Sequence, residues 1–195
     1  VKGILARGKD GKLIEEEGGY KVDRSQRIKI GSVNPDFSIG WRHNVTWNNI
    51  TLDLLFNGRF GGIVISETQS VLDAAGVSKV SADVRDAGGV QINQSKVSAQ
   101  TYYQTIQGTA AYYTYSATNV RLGELSLSYT LPKKWFDNKV GMTVGLVGKN
   151  LWMIYCKAPY DPESTSSVTS NFYQGVDYFQ QPSLRSLGFN VKLTF

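Results

Sequence analysis

The chain has 195 residues, of which 41% are hydrophobic, 12% aromatic and 19% charged, with 20 glycines and 11 tyrosines, a mixture that favours strands and turns over helices. No window approaches the roughly 18 consecutive apolar residues of a membrane-crossing helix, but the mean hydropathy of −0.25 leaves a membrane barrel open, because each strand of a barrel is apolar on one side. The net charge of +5 and pI near 9.2 raise nucleic acid as a partner, and the distribution argues against it: Lys133-Lys134 and the 2–12 region hold the nearest basic clusters, neither interleaved with aromatics in a stacking pattern.

The sequence starts at Val1 without an initiator Met or a signal-peptide pattern and reads as a fragment or a processed chain. Its opening stretch, 1–36, is polar, with Glu15-Glu16-Glu17 and several glycines, and reads as a solvated loop region. Lys9-Asp10-Gly11-Lys12 and Asp23-Arg24 lack the regular acidic spacing of a calcium loop.

Period-two alternation then begins. From Phe37 to Trp47 the odd positions are Phe37, Ile39, Trp41, His43, Val45 and Trp47, and the even ones are Ser38, Gly40, Arg42, Asn44 and Thr46. Asn48-Asn49 suits a tight hairpin, because Asn tolerates positive φ. In 49–60, Ile50, Leu52, Leu54 and Phe56 share one face, with Thr51, Asp53, Leu55 and Asn57 on the other. The region 37–60 is therefore read as a hairpin.

A long connection follows, 61–119, with a helix-compatible stretch at 67–75 and the tyrosines Tyr102, Tyr103, Tyr112, Tyr113 and Tyr115. Connections this long are functional or disordered, and the aromatic content favours ordered loops that touch a substrate or partner. A second hairpin is expected over 120–151. Leu125, Leu127, Tyr129 and Leu131 oppose Glu124, Ser126, Ser128 and Thr130 until Pro132 ends the ladder; Val140, Met142, Val144 and Leu146 then oppose Gly141, Thr143 and Gly145, with strictness lost at Val147. The stretch 152–184 reads as another long loop. The last strand, 185–195, carries Leu187, Phe189, Val191, Leu193 and Phe195 opposite Ser186, Gly188, Asn190, Lys192 and Thr194.

Strands of ~10 residues, tilted, match the apolar band of an outer-membrane barrel better than soluble strands of ~5–6 residues. The connections alternate short and long, as barrels do between their periplasmic and extracellular ends. If the last strand ends at the periplasmic face, 1–36, 61–119 and 152–184 lie outside the cell, and Arg42, Asn44, Asp53 and Glu124 line the lumen.

Enzymatic chemistry finds no support. The single histidine, His43, falls on the apolar face, where it does not serve a nucleophile as base. The acidic residues sit at arbitrary spacings; Asp161-Pro162-Glu163 reads as a turn in an outer loop, with ligand contact as the minority reading. The lone Cys156 makes no internal disulfide or cysteine metal site, and no cofactor or metal is implied. Trp47, Trp135 and Trp152 lie near strand ends, as interfacial girdle residues do.

Several collinear words resemble the distal barrel of the SusC/RagA class of TonB-dependent transporters. They are Gly31-Ser32-Val33-Asn34-Pro35-Asp36-Phe37, Gly40-Trp41, Phe56-Asn57-Gly58-Arg59-Phe60-Gly61-Gly62, Ala117-Thr118-Asn119-Val120-Arg121-Leu122, Gly148-Lys149-Asn150-Leu151-Trp152, Tyr160-Asp161-Pro162-Glu163 and Pro182-Ser183-Leu184-Arg185-Ser186. Two departures stand out: Gly123 replaces a basic residue, and Lys9 and Lys12 weaken an acidic motif.

The resemblance implies an all-β fold: the C-terminal antiparallel strands of a transmembrane β-barrel of about 22 strands, incomplete in this chain. It implies import of glycans, peptides or similar oligomers without covalent chemistry, beneath a SusD-like surface lipoprotein. A plug and a TonB-contacting segment would lie nearer the amino terminus of the family's chains. Outer-membrane lipid and the barrel-assembly machinery are further implied partners, with Phe195 as an assembly signal. The alternatives are a soluble carbohydrate-binding β-sandwich, and an outer-membrane barrel with a structural or secretion role.

Overall fold

The computed structural model describes residues 2–16, 19–27, 29–93, 95–136, 139–164 and 174–194. Phe195, expected to signal assembly, lies outside the described residues. The chain divides into two compact units.

One unit holds residues 34–62, 116–164 and 181–195 and is built on a five-stranded antiparallel sheet. Its strands are β1 (Phe37–Trp47), β2 (Ile50–Phe60), β3 (Asn119–Leu131), β4 (Gly141–Cys156) and β5 (Ser186–Thr194), adjacent in chain order. The β1–β2 turn closes at Trp47 opposite Ile50, with Asn48 at φ 52. Leu131 is the last residue of β3, because Pro132 has no N–H to extend a ladder. β4 runs on past Trp152 to Cys156, further than its alternation suggests.

Register carries the alternation from strand to strand. Val45 opposes Leu52, Leu52 opposes Leu127, Leu127 opposes Leu146, and Leu146 opposes Phe189. One apolar row thus crosses all five strands. Among the described residues nothing buries it at Leu146 or Phe189, which are 64% and 82% exposed. Cross-strand aromatic pairs tighten the same face: Phe37 stacks on Phe60 at 4.8 Å and Trp41 on Phe56 at 5.6 Å. The row one residue along, Asn44, Asp53, Ser126, Val147 and Gly188, lies on the opposite face and is mostly polar.

The second unit comprises residues 1–33, 63–115 and 165–180. Where the sequence suggests loops with a single helix-compatible stretch at 67–75, short strands and three helices occur, the first of them on that stretch. Lys2–Leu5 pairs with Val22–Arg27, and Ile63–Ser66 runs parallel to Val176–Asp177. Helices α1 (Glu67–Ala74), α2 (Lys79–Asp86) and α3 (Ala99–Ile106) each start behind a serine whose side chain accepts a backbone N–H three residues on: Ser66 from Gln69, Ser78 from Ser81, Ser98 from Thr101. Ala99, Tyr103, Ile106 and Tyr113 form the core of this unit, with Leu13, Val22, Val84, Ile92 and Val97 packed against it. Leu13 and Val22, from the stretch read as a solvated loop, thus take part in this packing. Among the described residues no helix is long and apolar enough to cross a membrane.

Candidate functional site

Arg42, Asn44, Asp53 and Glu124, assigned to one face by their parity, come together on that face. Arg42 Nε donates to Asp53 Oδ1 at 2.8 Å and Asn44 Nδ2 donates to Asp53 Oδ2 at 3.3 Å. Glu124 Oε1 stands 3.9 Å from Arg42 Nη2. The cross-strand pair Asn44 and Asp53 sets the carboxylate within reach of Arg42 two residues earlier. Open to solvent, this pairing adds little stability; it holds charges of both signs at fixed points on the polar face.

A bulge at Gly123 places a second polar cluster on the same face. On β3 the apolar positions are even before it, Val120 and Leu122, and odd after it, Leu125 and Leu127. Pairing with β2 shifts there, from Leu122 opposite Phe56 to Glu124 opposite Leu55, so one extra residue is accommodated. Arg121 and Glu124 consequently share a face although they are three apart. A Cβ on Gly123 would collide with the Asn57 side chain, so the departure from the family word at this position fits the tight bulge.

Arg121 is the centre of a buried latch. Its side chain and that of Asp161 are each 7% exposed, and they meet in a fork: Nη2 to Oδ1 at 2.7 Å and Nη1 to Oδ2 at 3.3 Å. Asn119 Oδ1 accepts from Nε and Nη2 at 3.3 Å, Asn150 Oδ1 accepts from Nη1 at 3.4 Å, and Glu163 Oε2 lies 3.4 Å from Nη2. Asp161 also accepts from the Ser183 hydroxyl and from the Glu163 N–H at 3.0 Å. Asn150, at φ 53, donates to Ser183 Oγ at 2.8 Å. Asp161 is thus engaged by its own chain, at the turn read from the sequence; Glu163 is half exposed at the latch's edge. Beside it lies a cleft of about 290 Å³ lined by Asn150, Met153, Cys156, Tyr160, Pro182 and Arg185 among others.

Burial raises the Asp161 carboxyl, but hydrogen bonds from Arg121, Ser183 and the Glu163 N–H outweigh it and hold the group below its ordinary range. A depressed folded-state pKa contributes stability that is complete above the unfolded value of ~3.9 and is lost as pH falls through the lower folded value. Limited proteolysis of the β4–β5 connection should therefore proceed at one rate from neutral pH down to about pH 5 and accelerate below about pH 4. Acceleration already between pH 7 and 5 would contradict an ionised latch.

The five tyrosines divide. Tyr103 and Tyr113 are buried in the core of the second unit, which corrects their assignment as contact residues. Burial raises the phenols of both, with a smaller push from Asp73. Tyr102 packs edge-on against Tyr103 at 5.2 Å. Tyr115 is half-buried, and Tyr112 is exposed. His43 sits beside Trp41 on the apolar face, ring centroids 5.8 Å apart. Among the described residues no group of histidine, cysteine and carboxylate side chains is arranged to hold a metal ion.

No family model matches the chain. It is 27% identical over 184 residues to TonB-dependent receptor P3 of Formosa agariphila, across 90% of this chain and 18% of that protein. It is 21% identical over 203 residues to TonB-dependent receptor P26 of the same organism, across 94% and 19%. The RagAB peptide importer in its open-open state superimposes with a TM-score of 0.66 at 20% identity, over 98% of this chain and 20% of that one. The chain is similar in sequence to a region of TonB-dependent receptors, and its fold is that of a part of the RagAB importer. It spans about a fifth of the length of the curated relatives it matches. A further solved structure, of the RagAB peptide transporter, gives a TM-score of 0.61 at 19% identity over 90% of this chain and 20% of that one.

The fold match makes the five-stranded sheet an open section of a barrel, since known barrels need at least ~8 strands to close. The latch residues Asn119, Arg121, Asn150 and Ser183 were not singled out as a site by sequence, although each falls in a word that carries the resemblance. The words around Asn119, Asn150, Asp161 and Ser183 converge on one guanidinium.

Proposed function

We propose that this transporter region forms part of the wall of an outer-membrane importer for oligomeric nutrients. The observation that supports it most is the five-strand apolar row from Val45 to Phe189, exposed at Val45, Leu127, Leu146 and Phe189, with a charged and polar face behind it. A large exposed apolar surface of this kind is a membrane or partner contact. Its alternation with a polar face, on strands of 11, 11, 13, 16 and 9 residues, suits lipid on one side and a lumen on the other. Trp47 and Trp135 near the short connections, and Trp152 towards the other end, suit the two interfacial girdles.

In this reading the long connections are extracellular, and Arg42, Asn44, Asp53 and Glu124 line the route of the cargo. Capture occurs beneath a SusD-like surface lipoprotein. Energy arrives through TonB, acting on parts of the whole transporter beyond this sequence. The likeness to the RagAB peptide importer favours peptides, with glycans as the second cargo class. Import involves no covalent step.

The test uses cells that depend on the full transporter. Uptake of labelled oligopeptides and oligosaccharides should be measured with and without its gene, and with and without a protonophore. Loss of uptake of one class in both treatments is the expected result. Uptake that persists under the protonophore would contradict energised import.

A further inference from the structure

We infer that the cavity between α1, α2 and the start of α3 binds a small apolar α-amino acid, its ammonium group on Asp73 and its carboxylate towards Arg85. The inference stands apart from the import reading. The cavity has a volume of about 190 Å³ and is lined by Asp73 and Gly76 at the end of α1, Arg85 on α2, and Ala99, Gln100 and Tyr103 on α3, among others. These residues all belong to the second unit, so this chain itself builds the walls.

Asp73 supplies the negative pole. It is 5% exposed, and its donors are neutral: Gln69 Nε2 donates to Oδ1 at 2.7 Å, and the Ser78 hydroxyl donates to the same oxygen. Among the described residues it forms no ion pair. Its place in the last turn of α1, which has no basic residue, sets it at the negative end of the helix dipole. A cation is favoured there and an anion is not. A buried carboxylate held by neutral donors at such a helix end is stabilised by an incoming cation.

The other side of the cavity is positive. The Arg85 side chain is 63% exposed and its contacts are long: Nη1 to the Gly76 carbonyl at 3.5 Å and Nε to Asp86 Oδ1 at 3.9 Å. Its guanidinium is therefore open to a closer anion. At the start of α3, Ser98 takes the Thr101 N–H on its side chain at 3.1 Å and the Tyr102 N–H on its carbonyl at 3.0 Å. The N–H groups of Ala99 and Gln100 are left without an acceptor in the helix, at its positive end.

Two opposite poles in one small cavity select the occupant. A metal ion would meet a single carboxylate and the repulsion of Arg85. A side chain from elsewhere in the full-length protein brings one sign of charge and leaves the other pole unmet. An α-amino acid carries both signs on neighbouring atoms. The volume equals that of about six waters at ~30 Å³ each, which suits a short side chain, and Ala74, Ala75, Ala99 and the Tyr103 ring offer it apolar wall.

Equilibrium dialysis of the full-length protein in detergent against labelled L-valine tests the site. One saturable site is expected. Arg85→Gln, at an exposed position, should weaken it about tenfold, and so should Asp73→Asn, which keeps the size and the acceptor of the Gln69 and Ser78 bonds. Valine amide lacks the carboxylate and N-acetylvaline lacks the ammonium, so each should compete about tenfold less well than valine. No saturable binding at ~10 mM valine would overturn the inference, whether the cavity stays empty or the remainder of the protein fills it. Binding left unchanged by either variant would overturn it as well, since both poles are required. Competition by valine amide equal to that of valine would reduce the site to a cation pocket and contradict the amino-acid assignment.

Discussion

Replacing Arg121 by methionine in the full-length protein should lower its stability by about 3–5 kcal/mol. The reason is asymmetric. With both side chains 7% exposed, removal of the guanidinium leaves the Asp161 carboxylate buried with the Ser183 hydroxyl and one backbone N–H as donors, too few to replace a fork of charged bonds. Asp161→Leu alone should cost a similar amount, because it strands the cation. Joint replacement, Arg121→Met with Asp161→Leu, should recover most of the loss, since well-packed apolar groups replace a buried ion pair at little net cost. Urea midpoints of the refolded transporter in lipid vesicles measure all three. A loss under about 1 kcal/mol for the single variants would mean that the latch behaves as an exposed pair.

The second large effect is expected on the apolar face. Leu127 occupies the middle of the five-strand row, flanked by Leu52 and Leu146. In the proposed barrel wall an arginine there places a charge in hydrocarbon, at a cost of about 2–4 kcal/mol near the bilayer midplane. Its neighbour Ser126 points to the other face, opposite Asp53 and Val147, where water and the Asp53 carboxylate are at hand. Leu127→Arg should therefore reduce folding into vesicles strongly, and Ser126→Arg should leave it within about 1 kcal/mol of the wild type. Equal effects would remove the distinction between the faces.

These contrasts rest on features that differ in how far the sequence reveals them. The strand Phe37–Trp47 is legible to the residue, because a sheet with one apolar and one polar face imposes period two, and Asn48 marks the turn that ends it. The meeting of Arg42, Asn44 and Asp53 is legible for the same reason: in a hairpin of known turn, parity and register fix which side chains are neighbours. At Gly123 the same logic fails, because a bulge moves the apolar set from even to odd positions without any change in composition. Arg121 therefore looks like an ordinary strand residue until the connection carrying Asp161 and Ser183 folds against it.

Tyr103 and Tyr113 fail differently. Aromatic residues in a long connection suit a core as well as a contact surface, and only packing decides. Ser78 and Ser98 did carry a signal, the side-chain cap that starts α2 and α3, but the helices behind them are eight residues each and too short for an apolar period to be evident.

The central claim is that one face of the sheet meets lipid and the other a water-filled lumen. Single cysteines at Ser126 and Leu127, introduced into the full transporter with Cys156 replaced by serine, test it in intact outer membranes with a water-soluble maleimide. Labelling at Ser126→Cys and protection at Leu127→Cys, reversed in neither case by mild salt, is the expected result; rapid labelling at Leu127→Cys would contradict the barrel wall.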